Sequence, residues 1–440
     1  MSSPNYRPHS IESSAEIDIH SVAKHVVYEQ YISHYLQTSY ANPNIPQANI
    51  AFINAASSKQ SPSPSQDERR YDDSAVRMIR SAESASDLIN FKRQQKNIRK
   101  RFTLYAQYYF LQTNRDDNQF LKTILLDQDL IENQQRQIIQ VEGAFNAKID
   151  KIVAEVLAHN KAGRAIFILD QCDWSYVPFE KIRYIFSKLP KAEVIMTFAT
   201  DWLLHHISKQ DHFLQAYARS GLQQVLPVQQ LIEIKQESKY WRGIIQYYLH
   251  KNILNLCGAA YFTPFFIKTS SANQSFWLLH LSMHEKARDV MTSLHWEKHN
   301  QFAHALGRGI NMFGYDPLDQ TQNADVQRIV SQPEYKFDDY DKELSIQTIL
   351  GELPLILDKY KKGIRFEELY RIVANHTPAT MSMIKDVLGR LIAHKEITVT
   401  TAKNRERRKA SSIQKDDVIR MSFQLTLFLP TPSMSKLALI

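Results

Sequence analysis

Five of the sixteen histidines in this 440-residue chain fall within residues 278–317: His280, His284, His295, His299 and His304. Arg288, Asp289, Trp296 and Asn300 are interleaved with them. Imidazoles move protons near neutral pH, and a guanidinium grips carboxylate or phosphate. The mixture therefore holds the parts for general acid–base work or anion binding. A helix over 284–300, turning about 100° per residue, puts His284, Arg288, Met291 and His295 on one stripe. Ala287, Val290 and Leu294 make the adjacent apolar stripe. Two readings fit: a satisfied interfacial network, or a stripe lining a cleft in which His284, Arg288 and His295 are catalytic.

A second candidate is Asp170, at the carboxyl end of the apolar run RAIFILDQ, where α/β sheets place acids that face ligands. Cys172 follows it closely, as a reactive thiol or as a small buried one. His205, His206 and His212 are possible metal ligands, but no third ligand stands at a suitable spacing, which favours a surface role. Basic residues concentrate twice. FKRQQKNIRKR (91–101) holds six with no acid, and reads as a solvated face or a phosphate-contacting patch. AKNRERRKASS holds Lys403, Arg405, Arg407, Arg408 and Lys409.

The elements that must position these groups read as follows. Residues 1–20 are polar and Ser-rich, and are expected to form a disordered tail. The runs NIAFINA, FTLYAQYYF, RAIFILDQ and AEVIMTFAT alternate with helical patterns, which predicts an α/β domain over 21–318 with a mostly parallel sheet. Within it, 57–70 is a Ser/Pro-rich loop insertion and 213–256 is helical. Residues 319–343 are a polar, acidic linker.

Over 344–425 three helices precede a strand, the basic loop and a second strand, with Thr377 capping the third helix and Pro378 at its first position. That order predicts a winged-helix domain whose loop touches a phosphate backbone, with Lys385 on the third helix as a further contact. The alternative is a solvated hairpin tip. Residues 426–440 form a C-terminal tail.

Hydrophobic residues make up 43% of the chain, enough for a sizeable core and against global disorder. Two cysteines, Cys172 and Cys257, exclude a disulfide framework or a Cys-rich metal site and point to a reducing compartment. No run of 18 apolar residues occurs and residues 1–20 lack a signal-peptide pattern, so a cytoplasmic protein without membrane partners is expected. The formal charge of +8 suits an acidic partner such as DNA or RNA. A nuclease is disfavoured: neither a spaced pair of acids followed by Lys nor a His-Asn-His pattern occurs.

The strings LSMHEKARDVMTSLHWEKHNQFAHALGRGINMFGYDP and FILDQCDWSYVPFEKIRYIFSKLPKAEVIMTFATDWL resemble the three-Cys-motif partner proteins (TcmP) of bacteria and mobile elements. The similarity extends over most of 24–423. That family is named for a partner that resembles radical-SAM enzymes and carries three cysteines. The resemblance implies a methyltransferase-type Rossmann domain and S-adenosylmethionine as the cofactor of that domain type.

Such domains end the first strand in an acid and a Gly-rich turn, and place an acid at the second strand for the ribose hydroxyls. Here Asn54 stands at the first position, with Ala55, Ala56, Ser57 and Ser58 in place of the glycines, and Gln107 at the second. Asp72 and Asp73 match a Tyr-Asp-Asp string of some relatives, or belong to a solvated loop. Three functions remain open: a degenerate methyltransferase-like protein acting with a partner in nucleic-acid modification, repair or phage defence; an active methyltransferase with an unusual cofactor loop; and a non-catalytic scaffold recruiting an enzyme.

Overall fold

The structure, a computed structural model, describes residues 14–55, 74–113, 115–170, 175–238, 241–268, 275–297, 309–310 and 337–422. Asp72, Asp73, Cys172, His299, His304 and all of the 57–70 insertion lie outside the described residues. The chain divides into two compact units, the second holding residues 339–440 with two short segments near 307–320.

The first unit is a mixed α/β body around a mostly parallel, seven-stranded sheet, consistent with a Rossmann-like fold. Its strands are β1 (Gln47–Ala55), β2 (Thr103–Gln112), β3 (Arg136–Glu142), β4 (Arg164–Leu169), β5 (Lys191–Phe198), β6 (Tyr261–Lys268) and β7 (Ser275–Ser282). The spatial order is β3-β2-β1-β4-β5-β7-β6, with β7 antiparallel to both its neighbours. Strands β1, β4 and β5 are buried almost throughout because helices cover both faces, which is why they read as continuous apolar runs.

One face packs against α1 (Ser14–Ser39) and α2 (Ser74–Gln95) through Tyr31, Ile32, Leu36, Ile79 and Ala82 from the helices and Ile50, Phe52, Tyr108, Ile166 and Ile195 from the strands. The helix α10 (Glu285–Glu297) joins the same core through Met291 and Leu294. Helices α4 (Phe145–His159) and α5 (Phe179–Lys188) bury their own apolar stripes.

Helix α1 begins at Ser14, so part of the expected N-terminal tail is helical; no Gly or Pro interrupts residues 14–39. The helical stretch after β5 divides into α6 (Thr200–His206), α7 (Asp211–Ser220), α8 (Val228–Glu237) and α9 (Trp241–Cys257). Gly221, at φ 88°, ends α7, and Pro227 precedes α8.

In the second unit α11 (Asp339–Asp358) precedes β8 (Ile364–Arg365), α12 (Phe366–Ala374), α13 (Met381–Ala393), β9 (Ile397–Thr400) and β10 (Val418–Met421). The three strands form an antiparallel sheet in the order β8-β10-β9. Helix α11 starts inside the stretch expected as linker. The cap of α13 is Thr380, whose hydroxyl accepts from the Met383 amide, and not Thr377, whose hydroxyl accepts from the Ala379 amide in the preceding turn. The turn into β8 needs Gly363: it sits at φ +87°, and a Cβ there would come within 2.9 Å of the Ile419 carbonyl oxygen. Among the described residues no helix is long and apolar enough to cross a membrane.

Candidate functional site

The carboxyl ends of β1 and β4 lie side by side, at the point where the strand order reverses, the usual ligand crevice of an open α/β sheet. Asp170 directly follows β4 there. Lys24 of α1 reaches both its carboxylate oxygens, at 3.0 and 2.8 Å, and the Thr197 hydroxyl donates to one of them at 3.0 Å. Burial raises the carboxyl pKa; the charge and hydrogen bonds of Lys24, with Thr197 and His25, outweigh it and hold Asp170 below the ordinary carboxylate value. Beside it, the Asn54 amide donates to the Ser74 hydroxyl at 2.9 Å, and Arg77 pairs with Glu29 at 2.7 Å. The space left among α1, α2 and the ends of β1 and β4 admits about one water-sized molecule.

These residues do not fit S-adenosylmethionine. Gln107, expected at the ribose-binding position, lies in the middle of β2, paired in register with Ala51 and Gln137, and its side chain donates to Gln137. The strand continues to Gln112, so its carboxyl end offers an amide and no acid. Gln107 already lies inside the run FTLYAQYYF, which ends at Phe110, and β2 extends two residues further still. At β1 the neutral Asn54 is engaged with Ser74, and Asp170 is already neutralised by Lys24.

The central role of the Lys24–Asp170 pair gives a first expected result. Lys24→Met takes the neighbouring ammonium away from a part-buried carboxylate and lowers stability by about 2 kcal/mol. Adding Asp170→Asn to it restores part of that loss in a urea-unfolding double-mutant cycle. Additive single losses would contradict the pairing.

The structure does not gather His284, Arg288 and His295 around Asp170. Strand β7 is antiparallel, so its last residue, Ser282, pairs with Glu193 at the start of β5, while Asp170 stands at the other end of the sheet, beside Thr197. Four strand residues separate those levels, about 13 Å. His284 precedes α10, is exposed, and accepts from the Lys286 amide through Nδ1. Arg288 is 1% exposed, and His295 is buried against the Phe337 ring. Among the described residues Arg288 and His295 are thus part of the packing of α10.

What the cluster does contribute is His280, fully buried on β7. Its Nε2 lies 2.9 Å from the Tyr31 hydroxyl and 3.2 Å from Oε2 of Glu193. Burial, aided by the charge of Arg288, pushes the His280 pKa down to about 3, and burial pushes that of Glu193 well above the carboxylate range. Burial thus disfavours the charged form of both groups. The three side chains form a buried hydrogen-bonded group within the core, in which only the Nε2 of His280 is engaged. Sequence pointed to His280, but its partners lie 249 and 87 residues away.

In the second unit the basic loop joins β9 to β10. Lys403, Arg405, Arg408 and Lys409 are exposed. Arg407 turns inward: its Nε donates to the buried Asp417 carboxylate at 2.9 Å, so it belongs to the hairpin and is not a free phosphate contact. Lys385 is likewise held, donating to the Ile413 carbonyl at 2.8 Å with its ammonium 5.4 Å from the Phe366 ring centre. Arg390 pairs with Glu343 and Asp386. The exposed basic cluster at this end of the hairpin is thus the loop, while Lys385 and Arg390 on α13 are engaged.

His205 meets Arg242 at 3.0 Å, and His206 stacks on Trp202 with ring centres 4.2 Å apart. Among the described residues no group of three His, Cys, Asp or Glu side chains is placed to hold a metal. Cys257 is buried, and burial raises its thiol pKa. Compared with known proteins, the chain matches no family model and no curated sequence.

Proposed function

We propose that this is a nucleic-acid-associated protein of the three-Cys-motif partner type, in which a degenerate methyltransferase-like domain is joined to a winged helix. The observation that carries the reading is the exposed quartet Lys403, Arg405, Arg408 and Lys409 on a hairpin loop. The order helix, short strand, helix, helix, hairpin, with β8 pairing to β10, supports a winged helix whose wing is that loop. The sheet order β3-β2-β1-β4-β5-β7-β6 with an antiparallel β7 supports the methyltransferase-type reading of the first unit.

The Asn54–Ser74 and Lys24–Asp170 pairs support loss of the cofactor. In this account the protein works in the cytoplasm with an enzyme partner, a three-Cys radical-SAM-like protein, in nucleic-acid modification, repair or phage defence. The wing holds the polyanion, and the chemistry resides in the partner.

Fluorescence anisotropy of the full chain with labelled duplex and single-stranded oligonucleotides tests the reading; micromolar or tighter binding is expected in about 50 mM salt. Absence of binding there would overturn it. Calorimetry with millimolar S-adenosylmethionine is expected to give no heat of binding, and saturable heat would restore the active-methyltransferase alternative.

A further inference from the structure

The first unit carries a second concentration of positive charge, at the amino edge of its sheet. Within residues 91–101 the structure separates structural from surface cations. Arg93 is 4% exposed, and its guanidinium donates to the carbonyls of Tyr40, Asn42, Ile45 and Lys100, at 2.8 to 3.2 Å. It staples the α1–β1 connection to the α2–β2 connection. Lys92 donates to Gln37 at 2.6 Å. The other four, Lys96, Arg99, Lys100 and Arg101, are exposed, and none is paired with an acid among the described residues.

The same edge continues across the sheet. The Asn160 amide binds the carbonyls of Asn49 and Arg164, which sets the α4–β4 turn and its exposed Lys161 beside the start of β1. Exposed Lys191 opens β5, in register with Arg164. The connections entering β2, β1, β4 and β5 (residues 96–102, 40–46, 160–163 and 189–190) contain no Asp or Glu. Acids return at both flanks, with Asp129 and Glu132 before β3 and Glu285 after the antiparallel β7.

We propose that this amino edge is a second nucleic-acid-backbone site, separate from the hairpin loop and centred on Lys96, Arg99, Lys100, Arg101 and Lys161. The reason is electrostatic and geometric. Four neighbouring strands span about 14 Å, enough to face about four successive phosphates of one strand. Unpaired cations on a turn fixed by Arg93 lose little freedom on binding, and a field of one sign attracts a polyanion. Contacts of this kind position the chain on nucleic acid without reading its sequence. An anionic membrane is the other polyanion, but membrane-binding surfaces add apolar side chains that insert. Here Tyr40, Phe102 and Leu189 of the four connections are buried and Ile45 and Ile98 half-buried, and the exposed Phe91 stands more than a turn back on α2.

The site extends the proposed nucleic-acid role but stands on its own residues, so its test is run in two backgrounds. Full-length Lys96→Ala/Arg99→Ala/Lys100→Ala/Arg101→Ala is compared with the parent and with the loop-neutralised chain for oligonucleotide binding over a salt series. In both backgrounds the edge substitutions are expected to weaken binding about 10- to 100-fold near 0.1 M salt. They are also expected to make the log–log salt slope shallower by about 2 to 4. Lys161→Glu adds to the loss. Unchanged melting temperatures establish that the variants fold.

If the loop contributes nothing, loop neutralisation leaves affinity intact while the edge substitutions still lower it, which separates failure of the hairpin reading from failure of this one. Unchanged affinity and slope in the edge variant would overturn the proposal. So would an edge variant that loses binding to phosphatidylserine vesicles while keeping its oligonucleotide affinity.

Discussion

Replacing Arg407 by alanine is expected to destabilise the second unit by about 3 kcal/mol, while Arg405→Ala two residues earlier leaves stability within about 0.5 kcal/mol. Both arginines lie on the same basic loop, and composition treats them alike. The backbone does not. The Arg407 amide donates to the Val399 carbonyl at 2.7 Å, its guanidinium binds Asp417, and the same Asp417 carboxylate accepts from the Gln414 amide at 2.8 Å. Asp417 is 3% exposed, so removing Arg407 strands a buried charge, the costlier way to break a pair.

Arg405, in contrast, is exposed and contributes only its field. The two variants should therefore exchange phenotypes. Arg407→Ala loses thermal stability and, through it, nucleic-acid binding; Arg405→Ala keeps its melting temperature and loses affinity alone. Equal melting temperatures would show that Asp417 does not depend on Arg407.

The second large effect is on pH dependence. His280→Gln is expected to flatten the acid limb of the stability curve. In the parent, the folded-state pKa of His280 is depressed to about 3, against about 6.5 when the chain unfolds. The stability it contributes is present above the unfolded value and is lost as pH falls from about 6.5 toward 3, because only the unfolded chain takes up the proton. At 1.36 kcal/mol per unit, the loss is of order 4 to 5 kcal/mol.

Glu193 acts in the opposite sense. Its folded pKa is raised, so its contribution is full below about 4.5 and is lost as pH rises toward the folded value. Glu193→Gln therefore gains relative to the parent as pH rises above about 4.5, since the amide keeps a hydrogen bond to His280 without having to be held protonated. Urea unfolding at half-unit pH steps measures both. A penalty for Glu193→Gln that grows with pH would mean a buried ion pair instead, and would contradict the neutral network.

Much of this architecture is legible in the chain, for a definite reason. Strands β1, β4 and β5 are covered on both faces, so NIAFINA, RAIFILDQ and AEVIMTFAT stand out as short apolar runs. In the first unit two strands are not apparent from the sequence, and in the second the short β8 is not. The edge strand β3, RQIIQVE, is mostly half-buried or exposed and mixes polar with apolar residues, while β6 carries Pro264, tolerated because it too is an edge. The antiparallel insertion of β7 was equally hidden, since direction is not written in apolar periodicity. It is also what carried the histidine cluster to the end of the sheet opposite Asp170.

At the candidate sites, residue type pointed to Asp170, His280 and the basic loop, but the partners that decide their chemistry are remote. Lys24 lies 146 residues from Asp170. The inward turn of Arg407 depends on a carboxylate ten residues away across the hairpin. Among six cations in residues 91–101, only the fold distinguishes the buried staple Arg93 from its exposed neighbours.

The measurement that bears most directly on the nucleic-acid reading is a salt series on the full chain. Oligonucleotide affinity is followed by anisotropy for the parent and for Lys403→Ala/Arg405→Ala/Arg408→Ala/Lys409→Ala. If the four exposed cations each meet a phosphate, the log–log slope becomes shallower by about 3 to 4 and affinity near 0.1 M salt falls by about two to three orders of magnitude. The melting temperature should stay that of the parent. Identical slopes and affinities for the two proteins would contradict the hairpin loop as the contact, and with it the central claim.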